Sequence, residues 1–149
     1  MLANVNLDED LNKGMKDNNV KAFFELVRAG LWEKDVRIAQ YDAIDYEAVL
    51  RLSEEQSVVG LVTAGLEHVI DTKVPKEILL QFIGETIQLE QTNAAMNAFI
   101  AQVVQKMREA DIYTLLVKGQ GIAQCYERPQ WRTSGDIDFY LSDTNYEKA

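Results

Sequence analysis

The chain has 149 residues, 47% hydrophobic and 26% charged, and a net charge of −9. Such a length can bury a real core, and the composition is that of an ordinary globular chain. The charge argues against a nucleic-acid surface: up to Ala110 there are 11 Lys+Arg against 18 Asp+Glu, and after it 4 against 6, with no cluster of cations to follow a phosphate backbone.

A single cysteine, Cys125, excludes an intramolecular disulfide and suits a reducing compartment. No apolar run approaches the length of a membrane span, and the opening residues do not read as a signal peptide. The expected location is therefore the cytoplasm, with no membrane partner.

Residues 1–16 are polar and read as a loose lead. Asp17 is expected to cap a helix over 18–29, with Val20, Phe23, Phe24 and Val27 at helical spacing and Gly30 ending it. A linker over 31–44 follows, anchored by Trp32. Asp45 is the next expected cap, ahead of Tyr46, Val49, Leu50 and Leu52. Ser53 and Gln56 fit a capping box for a helix running toward Ile70. Gly60 and Gly65 are unfavourable inside that helix unless they serve close packing. Pro75 suits the first position of a long helix toward Ala110. The polar character of residues 85–97 predicts a bend or break near Gly84. His68 is the only histidine, so a histidine-rich zinc site cannot be assembled.

The stretch from Ile112 to Leu141 carries the chemistry. Residues 112–117 form a short apolar run and read as a buried strand. A turn at Lys118-Gly119-Gln120-Gly121 follows, then a short helical piece over 122–126 holding a buried Cys125, then a loop with Pro129. The chain returns to strand at Asp136. Alternation puts Ile137, Phe139 and Leu141 on one face and Asp136, Asp138 and Tyr140 on the other. Two ionised carboxylates about 6 Å apart repel by about 3 kcal/mol at an effective dielectric near 20. A divalent cation between them relieves that repulsion, and an all-oxygen set suits Mg²⁺ or Mn²⁺. A lysine at a glycine turn supplies a cation and close backbone for phosphate oxygens.

Other readings are weaker. A calcium loop would need an oxygen ligand at its fifth position and glycine at its sixth, where this chain has Tyr140 and Leu141. The Lys118 turn lacks the Gly-Lys-Ser/Thr of a P-loop and the third glycine of the dinucleotide fingerprint. Without context, Asp-x-Asp is also common on solvated strands, and Arg132 could pair with Glu127.

The order strand, glycine turn, helix, Asp-x-Asp strand resembles the DNA polymerase beta-like nucleotidyltransferase superfamily. The wording Leu116-Val117-Lys118-Gly119, then Tyr126, Pro129, Arg132 and Gly135-Asp136-Ile137-Asp138, is similar to a bacterial subgroup of uncharacterised nucleotidyltransferases. The resemblance implies an enzyme that moves a nucleotidyl group from a nucleoside triphosphate, such as ATP, to an acceptor that the sequence does not name. Asp136 and Asp138 would be catalytic metal ligands for Mg²⁺ or Mn²⁺. Lys118, Gly119, Gln120 and Arg132 would meet the nucleotide. Gln120 stands where the superfamily usually has Gly or Ser, and the gap to Asp136 is longer than usual. The superfamily's third carboxylate comes from a later strand, so the chain is expected to end inside the catalytic domain.

The expected fold is α+β: a mostly helical region, 1–110, followed by the beginning of a nucleotidyltransferase-like α/β unit, 111–149. The alternative is a catalytically inactive module that binds a nucleotide or a partner on the same fold. A third possibility makes the helical region itself an interaction surface.

Overall fold

Among residues 7–149, which the computed structural model describes, six α-helices accompany one two-stranded antiparallel sheet. The α+β expectation holds. The helices are α1 (Leu7–Trp32), α2 (Tyr46–Glu55), α3 (Val59–Glu67), α4 (Lys76–Glu109), α5 (Gly119–Ala123) and α6 (Asp143–Tyr146); the strands are β1 (Thr114–Val117) and β2 (Asp138–Leu141). The chain divides into two compact units, Met1–Ile83 and Gly84–Ala149.

In the first unit α1 is far longer than the expected 18–29. Residues 1–6 of the expected lead lie outside the described residues, but 7–16 are helical. Asp17 caps nothing. It lies inside the helix and pairs with Lys21 one turn on, a spacing that supports a continuous helix. Gly30 does not end α1 either. Its missing side chain lets α3 approach: a Cβ there would lie 1.8 Å from the Leu61 carbonyl oxygen. Gly65 on α3 does the same in return, with a Cβ only 2.0 Å from the Leu26 carbonyl oxygen. The close-packing role expected for Gly65 is thus met. The paired glycines bring the two backbones together, and the resulting core joins Phe23, Leu26, Val62 and Leu66 to Val49, Ile38 and Phe82.

The linker is anchored differently from expectation. Trp32 is 65% exposed, while Val36 and Ile38 are buried. Val36 forms a parallel bridge with Val69, and the Asp71 carboxylate accepts hydrogen bonds from the Ile38 and Ala39 amides. These long-range bonds satisfy backbone that has no helix to satisfy it. Asp45 does cap α2, accepting from the Ala48 amide at 3.1 Å. Ser53 does not open a new helix. It is fully buried in α2 and its hydroxyl donates back to the Leu50 carbonyl at 2.6 Å, the local bond that serine offers when it sits mid-helix. The break between α2 and α3 comes instead at Ser57, whose φ is 57°. His68, at the end of α3, is structural: its Nε2 lies 2.7 Å from Glu33 Oε2.

In the second unit α4 passes Gly84 without interruption and ends at Glu109. The expected break is absent because the polar residues are not a weak point of the helix. Thr86 and Asn93 are 3% and 1% exposed, so part of the polar stretch is buried and bonded. Asp111, with φ 54°, turns the chain, and Ile112 is buried. The two strands pair as expected, with Thr114 opposite Leu141 and Val117 opposite Asp138. The first strand is not buried on both faces. Leu115 and its partner Tyr140 are 62% and 65% exposed, the one-sided burial usual for an antiparallel pair.

Candidate nucleotide site

The register of the hairpin builds the site. Val117 ends β1 directly opposite Asp138, the first residue of β2. Lys118 follows at once, so its side chain emerges beside that carboxylate. Its Nζ lies 3.6 Å from Asp138 Oδ2, with the two side chains 73% and 38% exposed.

Lys118 has φ 54° and ψ −152°, a region that residues with a Cβ rarely occupy and that concentrates at functional sites. This one residue takes up the reversal after β1. The turn expected to extend through Gly121 is therefore shorter, and α5 begins at Gly119. Gly119 is required twice over. Its φ is +30°, and a Cβ on it would come within 2.7 Å of Ser134 Oγ and 2.8 Å of the Asp136 carbonyl oxygen. The turn thus lies directly on the segment that leads into β2. Ser134 Oγ is buried there without a hydrogen-bond partner.

Arg132 holds the turn from the other side. Its Nη1 donates to the Gly119 carbonyl at 3.1 Å and to the Thr133 carbonyl at 3.2 Å, and its guanidinium lies 5.8 Å from the centre of the Tyr126 ring. It makes these contacts rather than a surface pair with Glu127. Gln120 is 4% exposed, and its side-chain amide donates to Asn93 Oδ1 at 2.7 Å and reaches Met96 Sδ at 3.5 Å. Its side chain is turned into the unit, leaving its backbone at the turn. The strand expected to start at Asp136 starts only at Asp138, so Asp136 lies two residues ahead of β2, unpaired in the ladder and exposed. The structure therefore brings Lys118, Gly119, Arg132 and Asp138 together, with Asp136 adjoining through the backbone contact at Gly119.

Two residues escaped the sequence reading. Asn93 donates from Nδ2 to the Gln130 carbonyl at 2.8 Å and to the Arg132 carbonyl at 2.9 Å. Glu90, one turn earlier on α4, accepts from the Trp131 indole, over which the Arg128 guanidinium sits 4.4 Å from the ring centre. The only available signal was the polar middle of α4. Cys125 was expected to be buried and is exposed, because α5 ends at Ala123 and it is Ala123 that is fully buried.

The sequence model of the family described as uncharacterised nucleotidyltransferase matches residues 42–149, most of the chain. The chain belongs to that family. The matched region contains α2, α3, α4 and every residue of the site, so the family membership covers the hairpin, the Lys118 turn and both aspartates together. Comparison with curated proteins and with solved structures gave no significant match.

Asp136 and Asp138 offer hard carboxylate oxygens of the kind Mg²⁺ and Mn²⁺ prefer. Among the described residues no group of three His, Cys, Asp or Glu side chains gathers to hold a metal. By donor chemistry such an ion would take at most these two carboxylates from the described residues, the remaining positions falling to water or substrate oxygens, as is usual for Mg²⁺.

Proposed function

We propose that this chain carries the nucleotide-holding part of a metal-dependent nucleotidyltransferase of the DNA polymerase beta-like superfamily. Its substrate is a nucleoside triphosphate such as ATP. An acceptor hydroxyl oxygen bonds to the α-phosphorus, the bond from that phosphorus to the bridging oxygen breaks, and pyrophosphate leaves. The acceptor proton passes to solvent. The observation that supports this reading best is the Lys118–Asp138 juxtaposition fixed by the hairpin register.

Each residue has a role in it. Lys118 pairs with triphosphate oxygens as a point charge. Gly119 lets phosphate approach the backbone, since nothing projects from its Cα. Arg132 holds the Gly119 carbonyl through one guanidinium bond and, from the same nitrogen, ties it to the Thr133 carbonyl. Asp136 and Asp138 would hold a divalent cation, which supplies charge neutralisation on the triphosphate and its leaving group. Positioning and charge do most of the work in such transfers.

The test is thermal unfolding of the full chain with Mn²⁺ alone, ATP alone and both together, alongside pyrophosphate release. A rise in melting temperature requiring both, and absent when Asp136 and Asp138 are both changed to Asn, supports the proposal. No rise under any condition removes it. Binding without pyrophosphate release from any of the four nucleoside triphosphates, over a panel of hydroxyl acceptors, favours the inactive binding module.

A further inference from the structure

We infer that Asn93, on α4, is a positioning residue that sets the Lys118–Gly119 turn against the Arg132 segment. Asn93 is 1% exposed and spends its whole side chain on this task. Its oxygen accepts from Gln120, which directly follows Gly119 in the chain. Its amide nitrogen donates to the carbonyls of Gln130 and Arg132. Arg132 in turn donates from its guanidinium to the Gly119 carbonyl. The bonds close a ring: Asn93 to Gln120, along the backbone to Gly119, across to the Arg132 guanidinium, and from the Arg132 carbonyl back to Asn93.

A buried amide is a costly choice for a helix core. An unpaired one would be strongly destabilising, and an apolar side chain would fill the place without that risk. What the amide adds is direction. Two donors and one acceptor, all satisfied, fix three separate segments at defined angles, which apolar contact does not do. The segments it fixes are the start of α5, the 3₁₀ turn Pro129–Trp131 and the Arg132 backbone. Lys118 and Gly119 directly precede the first of these holds, and the Arg132 guanidinium ties the Gly119 carbonyl to the last. A small displacement of the turn would move the lysine relative to Asp138, and reactions that rest on positioning are sensitive to shifts of that size.

The consequence for ligand binding rests on the nucleotidyltransferase reading above, while the hold on the turn rests on geometry alone. The experiment separates the two. Hydrogen exchange and ATP binding in Mn²⁺ are measured on the full chain and on Asn93→Ala. Exchange of the amides at 120–126 and 131–134 is expected to quicken at least tenfold, with α1 and α3 unchanged. The dissociation constant for ATP is expected to weaken at least tenfold at a temperature where the variant is fully folded. Merely structural packing would lower the melting temperature and leave the dissociation constant of the folded variant alone. Should Asn93→Ala fail to fold, Gln120→Met carries the test: it removes the side-chain bond and keeps the Gln120 backbone amide and a helix-compatible side chain. Unchanged exchange at the turn overturns the inference. Faster exchange with ATP affinity within twofold of the parent also overturns it. If the parent chain binds no ATP, the nucleotidyltransferase reading fails, and the exchange at 120–126 and 131–134 alone decides whether Asn93 sets the turn.

Discussion

Lys118 Nζ stands 3.6 Å from Asp138 Oδ2, across the mouth of the β1–β2 hairpin. The lysine that would greet phosphate and the carboxylate that would greet metal are thus each other's partner when neither ligand is present. An exposed pair of this kind is worth about 0–1 kcal/mol, so ligands displace it at little cost. On the proposed reading, phosphate drawing Lys118 away would free Asp138 for a cation, and ATP and metal binding would be mutually supportive.

The backbone at Lys118 supplies the sharpest prediction. Its φ of 54° with ψ −152° suits glycine. Lys118→Gly is expected to raise stability by about 1 kcal/mol, net of glycine's greater freedom in the unfolded chain. The same change is expected to weaken ATP binding about tenfold. Lys118→Ala should lose the binding without gaining the stability. Thermal melts and calorimetry on the two variants check both halves. ATP affinity unaltered in both would take Lys118 out of the site.

Gly119→Ala introduces a Cβ into contact with Ser134 Oγ and the Asp136 carbonyl. The Asp136 backbone must then move, and overpacking of this sort costs about 1–3 kcal/mol. Melting temperature should fall and ATP binding should be lost. Retention of both would show that the 134–136 segment gives way freely.

For the carboxylate pair, Asp136→Asn with Asp138→Asn is expected to abolish stabilisation by Mn²⁺ with ATP. That stabilisation should approach about 2.7 kcal/mol when ligand is a hundredfold above its dissociation constant. A solvated-strand role for both residues predicts no metal effect in parent or variant. The melting temperature with and without Mn²⁺ decides between them.

The first unit makes a prediction free of any functional reading. Gly30→Ala and Gly65→Ala each place a methyl about where a facing carbonyl oxygen already lies. Forcing α1 and α3 apart should cost about 3 kcal/mol, lowering the melting temperature by roughly 10 °C. Ala at either position would normally favour a helix. A melting temperature that rises would show that the helices do not cross this closely.

The sequence by itself determined the hairpin and its order of residues. Apolar runs bounded by glycine and followed by alternation point to strands over 112–117 and 137–141, and within them 114–117 and 138–141 pair as β1 and β2. Asp45 was equally legible, because a cap is a local bond three residues long. The tertiary structure decided what depended on distant neighbours. Gly30 looks like a helix end until α3 is set against it. The polar residues of α4 look like a break until Asn93 is seen to bind Gln120 and the Arg132 carbonyl, 27 and 39 residues away. Trp32 looks like an anchor, and Val36 is the one buried. Local periodicity records which residues favour a helix or strand; whether a polar or small residue is a weakness or a contact depends on what the rest of the chain brings to it.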